Sequence, residues 1–216
     1  MRVTLTLSLL ALLAVPPLAA QADPDKPVTG GGGSLPAGWA MRVDGTGDAK
    51  NVKVASMGKG IHVTLGPAII LYRASTAGSG PFHTLATFTQ TKPSAHAEGY
   101  GLLFGGKDLE GEGESYTYFL IRQDGSYLVK RREGSKTSDI SKGWTPSTAV
   151  KKPDAKGSAT NLLEVDNKSD PSKVTFKING KDVYSTDAKA VATDGIVGLR
   201  INHNLDVHVE GFDVHR

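Results

Sequence analysis

The chain has 216 residues, with 25 Lys and Arg against 22 Asp and Glu, a formal net charge of +3 and no cysteine. So small a basic excess, with acids and lysines interspersed and no arginine-rich helix, is not a nucleic-acid footprint. The absence of cysteine excludes thiol nucleophiles, thiolate metal sites and disulfides.

The N-terminus reads as an export signal. Arg2 precedes an apolar run from Leu5 to Val15, Pro16 and Pro17 end it, and Ala20-Gln21-Ala22 supplies the small-x-small cleavage pattern. The run falls short of the roughly 20 apolar residues that cross a bilayer, and no later segment approaches that length. Residues 1–22 are therefore expected to be a signal peptide, and the protein secreted, either to a periplasm or out of the cell. Residues 23–34 carry Pro24, Pro27 and the run Gly30 to Gly33. With almost no apolar surface to bury, they are predicted to form a flexible linker. The globular part then runs over residues 35–216, enough for one core.

From there β-branched and aromatic runs recur between Gly, Pro, Asp and Asn, without helical periodicity. Strands are predicted near Trp39–Val43, Val52–Ser56, Ile61–Leu65, Ala68–Tyr72, Phe82–Gln90, Gly99–Phe104, Tyr116–Arg122, Tyr127–Arg131, Asn161–Val165, Lys173–Ile178, Asp182–Ser185, Gly195–Asn202 and Asp206–Val214. Many strands without a helix imply an all-β, two-sheet antiparallel sandwich or a barrel. Asp124-Gly125 and Asn179-Gly180 are each read as a two-residue type I′ hairpin turn.

The motifs in order carry a resemblance. Tyr100-Gly101-Leu102-Leu103-Phe104-Gly105-Gly106 is followed by Ser115 to Arg122 (SYTYFLIR), Asp124 to Arg132 (DGSYLVKRR) and Gly143-Trp144-Thr145. Then come Asn161 to Val165 (NLLEV), Val174 to Gly180 (VTFKING), Gly195 to Arg200 (GIVGLR) and Val207 to Val214 (VHVEGFDV). This succession, over residues 35–216, resembles secreted bacterial concanavalin A-like jelly-roll domains of the lectin/glucanase kind. It is most similar to the 3-keto-disaccharide hydrolase-like branch. The resemblance implies a jelly-roll β-sandwich and a carbohydrate ligand. Gly198 to His203 is similar to that branch's "G-L-x-x-H" segment at longer spacing, which implies a site role for His203.

Two strand faces collect binding chemistry. A two-residue turn at Asp124-Gly125 sets Tyr118 opposite Arg131 and Arg122 opposite Tyr127. Tyr116, Tyr118, Arg122, Tyr127 and Arg131 then share one face, where sugar C–H groups stack on rings and hydroxyls meet guanidinium edges. Ordinary packing of strand tyrosines is the competing reading. Near the C-terminus, Arg200 and Asn202 alternate with Leu199 and Ile201, and His208 and Glu210 alternate with Val207 and Val209. These polar residues are expected on one face with His203 in the connecting turn. They make either a solvent-facing surface or a cleft holding an acid and a base. Trp39 is expected in the core, and Trp144 either there or at a cleft rim.

Laminarinase-like members of the resemblance carry Glu-x-Asp-x-x-Glu on one strand. Here Glu164-Val165-Asp166-Asn167-Lys168-Ser169 lacks the second glutamate, which argues against a two-carboxylate glucanase. A pair from separate segments, such as Glu98 with Glu210, stays open. Asp108, Glu110, Glu112 and Glu114 offer hard oxygen ligands to Ca²⁺ or form a solvated acidic loop; no other cofactor is indicated. Three functions follow as expectations: a glycan-binding module, a glycosidase or lyase on (3-keto-)disaccharides with His203, His208 or Glu210 moving a proton, and a structural or adhesive domain.

Overall fold

Alternation sets the architecture. In His83–Gln90 the side chains of Thr84, Ala86, Phe88 and Gln90 are buried, and those between them are only partly covered. Such a strand must lay one face on a core and leave the other toward water. The computed structural model describes residues 24–216, so the expected signal peptide lies outside the described residues.

Fifteen strands follow: β1 (Trp39–Val43), β2 (Val52–Met57), β3 (Gly60–Leu65), β4 (Ile69–Arg73), β5 (His83–Gln90), β6 (Gly99–Lys107), β7 (Ser115–Arg122), β8 (Ser126–Glu133), β9 (Lys136–Asp139), β10 (Thr145–Pro146), β11 (Ala159–Asp166), β12 (Lys173–Ile178), β13 (Lys181–Asp187), β14 (Ile196–Ile201) and β15 (Asp206–His215). One sheet runs β1-β4-β14-β6-β7-β8-β10, with β9 also on β8, and the other runs β13-β12-β11-β5-β15-β3-β2. All strand pairings are antiparallel, and among the described residues the only helices are three single 3₁₀ turns. This is the two-sheet antiparallel jelly-roll sandwich expected from the strand pattern. Strands β9 and β10 escape sequence reading because they are short and bury none of their residues.

The inner faces enclose one core. Phe119 meets Phe176 at 5.2 Å between ring centroids, Phe176 meets Phe104 at 6.0 Å, and Phe104 meets Phe82 at 5.6 Å, all tilted or edge-on. These geometries suit ring quadrupoles, and the buried rings dominate the apolar stabilisation. Buried Asn161 has its amide satisfied. Its Oδ1 accepts from the Lys151 amide and from Asn179 Nδ2, both at 2.8 Å, and its Nδ2 donates to the Lys151 carbonyl at 3.0 Å.

Three sequence expectations are corrected. The Asn179-Gly180 turn has the expected two-residue form, with φ of 51° and 76° and Ile178 paired to Lys181. The Asp124-Gly125 turn does not, because Arg122 pairs with Ser126 across a three-residue loop. The Asp124 side chain accepts from the Ser126 amide at 3.1 Å and hydroxyl at 2.6 Å, and only Gly125, at φ 89°, takes the left-handed conformation. That is the loop in which a turn is followed by a left-handed glycine.

The second correction concerns the C-terminal strands. Strands β14 and β15 lie in different sheets, because the chain crosses between layers over residues 202–205. Arg200 therefore shares no face with His208 and Glu210. Third, the segment expected to be a linker lies against the fold. Gly32 donates to the Val52 carbonyl at 2.8 Å and accepts from the Val54 amide at 2.9 Å, as a parallel bridge beside β2.

Candidate functional site

The outer face of the eight-stranded sheet holds a second apolar layer and a knot of charge. Its register sets Tyr116 across from Arg132, Tyr118 across from Lys130 and Leu120 across from Leu128. Ile70, Tyr72 and Leu103 join Tyr116, Tyr118, Leu120 and Leu128 in that layer. The acidic loop 108–114 closes one end of it. Leu109, 3% exposed, inserts into the layer, Arg42 Nη1 donates to the Leu109 carbonyl at 3.0 Å, and the Tyr72 hydroxyl donates to Glu110 Oε1 at 3.2 Å.

Above the tyrosines three guanidinium groups meet two carboxylates. Arg200 donates from Nη2 to Asp44 Oδ2 at 2.7 Å and from Nη1 to the Tyr116 hydroxyl at 2.6 Å. Its Cζ lies 5.0 Å from the Tyr118 ring centroid. Arg132 donates from Nε to Glu114 Oε1 at 2.7 Å and lies 3.5 Å from Asp44 Oδ2, and Arg42 Nη2 is 3.4 Å from Glu114 Oε1. Burial opposes the Arg200 charge, but the Tyr116 oxygen and the Asp44 carboxylate outweigh it, and the guanidinium is held charged. Burial pushes the Tyr116 and Tyr118 phenols up, with Arg200 pulling both partly back.

Arg200 is 8% exposed and Glu114 1%. Within this knot Asp44 Oδ1, Glu114 Oε2 and Arg200 Nε are buried without a hydrogen-bond partner. Unpartnered buried polar atoms are costly, and these three leave two acceptors and one donor of the cluster unanswered. The ligand complement is two donors and one acceptor, which hydroxyl groups provide.

The hairpin residues singled out from sequence are divided by the true register. Tyr116, Tyr118 and Arg122 do face outward. Tyr127 and Arg131 lie on the other side of the sheet, because the loop holds one residue more than a two-residue turn. Tyr127 packs in the inner core and donates its hydroxyl to the Val183 carbonyl at 2.9 Å. Arg131 pairs with Glu133 at 2.9 Å. Opposite Arg122 and Tyr118 stand Ser126 and Lys130 instead, and Arg132 faces Tyr116. Trp144 packs on the outer layer, with the Arg122 guanidinium 4.4 Å from its ring centroid, and Arg122 pairs with Asp124 at 2.6 Å. Trp39 packs against the inner core beside Phe212.

The remaining residues lie apart from this face or turn to structural contacts. Asn202 anchors the crossing between sheets by donating its amide to the Gly99 carbonyl at 2.8 Å. His203 is held between Glu98, 3.0 Å from Nε2, and Asp25, 3.4 Å from Nδ1, so both ring nitrogens face carboxylates. His208 stacks on His62 on the other sheet, with Nε2 3.2 Å from Glu210. Glu98 and Glu210 thus serve different histidines and form no pair. In the acidic loop Glu114 is engaged by arginines and Glu110 by Tyr72. Among the described residues no group of three or more His, Asp or Glu side chains is arranged to hold a metal ion. Sequence reading passed over Arg42, Asp44 and Arg132; a three-residue turn would have brought Arg132 into line with Tyr116.

No family model matches the sequence, and no curated protein matches it. Solved structures do match in fold. The carbohydrate-binding module CBM66 from Bacillus subtilis superposes with a TM-score of 0.59 at 12% identity, covering 83% of this chain and 96% of that one. A GH16 protein of the Bacteroides ovatus mixed-linkage glucan locus, solved with a G4G4G3G product, gives 0.51 at 9% identity over 82% and 94%. A legume lectin-like domain from Entamoeba histolytica gives 0.51 at 10% identity over 83% and 90%. The chain has the concanavalin A-like lectin/glucanase jelly-roll fold; none of these three structures bears on the 3-keto-disaccharide hydrolase-like branch.

Proposed function

We propose that this chain is an exported glycan-binding module that takes its sugar on the outer face of the eight-stranded sheet. The observation that carries the reading is the knot of Arg42, Asp44, Glu114, Arg132 and Arg200, with two carboxylate oxygens and one guanidinium nitrogen unpartnered. A sugar diol matches that set, each hydroxyl donating to a carboxylate oxygen and one accepting from Arg200. Arg42 and Arg132 cover the unpartnered atoms, so a ring reaches them only by replacing the contacts of these two side chains with Glu114. The lectin and carbohydrate-binding modules among the structural neighbours support the same reading by analogy of fold. Catalysis gains no comparable support, since His203 has a carboxylate at each nitrogen and His208 lies on the other sheet.

A glycan array followed by calorimetry tests the proposal. Asp44→Asn keeps the side-chain volume but removes the charge, and is expected to weaken the selected glycan by about tenfold or more. Absence of any glycan ligand, or equal binding by the variant, overturns it and leaves a structural or adhesive role.

A further inference from the structure

A cavity lies elsewhere, on the side of the seven-stranded sheet. It is a cleft of about 410 Å³ between the N-terminal segment at Lys26–Thr29 and a floor from Lys53, Thr64, Leu65, Lys92, Pro93 and residues 204–206. That volume lies in the range of small-ligand sites. One wall exists only because the segment of residues 24–33 is seated. Asn204 Oδ1 accepts from the Lys26 amide at 2.8 Å, its Nδ2 donates to the Pro24 carbonyl at 3.1 Å, and Asn51 Oδ1 accepts from the Val28 amide at 3.3 Å. Farther along, a Cβ at Gly31 would overlap the Lys50 carbonyl oxygen, and one at Gly33 would overlap that of Val54. At these two positions the chain docks so closely that a side chain would hold the segment off.

The lining is charged at the rim and apolar between. Asp206 is satisfied: it accepts from Thr91 and from Thr64 at 3.2 Å, and faces Lys92 at 3.1 Å and His62 at 3.1 Å. Lys92 thereby has its counter-charge. Lys26 and Lys53 also line the cleft, and neither has a carboxylate within ion-pair distance among the described residues. Pro27, Val28, Leu65, Pro93 and Leu205 supply carbon surface between them. Two cations over an apolar floor fit a ligand with an anionic edge and a C–H-rich body.

We propose that this cleft is a second ligand site, separate from the outer face of the eight-stranded sheet, for a monosaccharide-sized sugar acid. Its carboxylate meets Lys26 and Lys53, and its ring lies on Pro27, Pro93 and Leu205.

Amide chemical-shift titration of the whole chain tests this with methyl β-glucuronide, methyl β-glucoside and inorganic phosphate. The glucuronide is expected to shift the amides of Thr64, Leu65 and Asn204 and to bind about tenfold or more tighter than the glucoside, an advantage that fades with salt. Replacing the two exposed lysines together (Lys26→Ala with Lys53→Ala) is expected to lower glucuronide affinity by about tenfold without unfolding the domain. Gly33→Ala, which lifts the wall, is expected to abolish binding. No shifts, equal binding of the glucoside, or unchanged affinity in the double lysine variant each overturns the proposal. Phosphate binding as tightly at the same amides also overturns it, since the cleft would then read charge alone.

Discussion

Tyr118 and Arg131 stand on opposite sides of the eight-stranded sheet, because Tyr118 pairs with Lys130 across the hairpin. One extra loop residue exchanges the inward and outward sets of β8. Tyr127, 6% exposed in the inner core, is therefore a packing residue, and Arg131 is a surface one paired with exposed Glu133. Tyr127→Ala is expected to cost about 3 kcal/mol or more, as a large ring leaving a cavity does. Arg131→Ala is expected to stay within about 0.5 kcal/mol. Urea midpoints of the two variants decide it; equal losses would return Arg131 to a buried role.

The charge knot makes a second expectation. Arg200→Leu leaves the Asp44 carboxylate in a poorly solvated place with only Arg132, at 3.5 Å, to face it. Stranding one partner of a buried pair costs about 3–5 kcal/mol. Adding Asp44→Asn to that variant removes the stranded charge and is expected to restore part of the loss. The double-mutant cycle therefore shows coupling of about 1 kcal/mol or more, and additive single losses would contradict the contact.

How far the sequence discloses this molecule depends on the range of each signal. Period-two alternation is local, so β5 and β12 are legible, and so is the Asn179-Gly180 turn, where both residues accept positive φ. The Asp124-Gly125 turn has an equally local signal with the opposite outcome. The aspartate bonds Ser126 instead of entering the left-handed region, and nothing in the dipeptide announces it. The site is less legible still. Asp44 follows β1, Glu114 precedes β7 and Arg200 lies in β14, so only the strand order, with β14 between β4 and β6, gathers them. The glycine run misleads in another way. Composition marks it as a spacer, while its seating depends on carbonyls of residues 50 and 54 that composition does not contain.

Acid sensitivity is expected from Asp166. Burial disfavours its charge, but hydrogen bonds from the Ser169 hydroxyl at 2.7 Å and the Ser169 and Lys168 amides outweigh this, with Lys177 adding attraction. Its pKa falls from the ordinary 3.8 to about 2. A carboxyl depressed in the folded state stabilises fully above its unfolded pKa and loses that contribution as pH falls toward the folded value. Stability is thus expected to decline between about pH 4 and pH 2 more steeply in the native protein than in Asp166→Asn. Urea midpoints across that window check it, and parallel curves would refute the assignment.

The two tryptophans report separately on the two sides of the same sheet. Trp39 packs against the inner core with Phe212, and Trp144 sits on the outer layer against Arg122. Arg122 and Tyr118 are four residues apart on β7, about 13 Å along the strand. A monosaccharide held at Arg200 and Tyr118 is too short to reach Trp144, whereas an oligosaccharide spanning that distance displaces water from its ring. Titration is therefore expected to change the emission with oligosaccharides and not with the matching monosaccharide. The response should vanish in Trp144→Phe and persist in Trp39→Phe. A change that survives Trp144→Phe would put the glycan away from this face, and the charge knot would then be a fastening between β7, β8 and β14 alone.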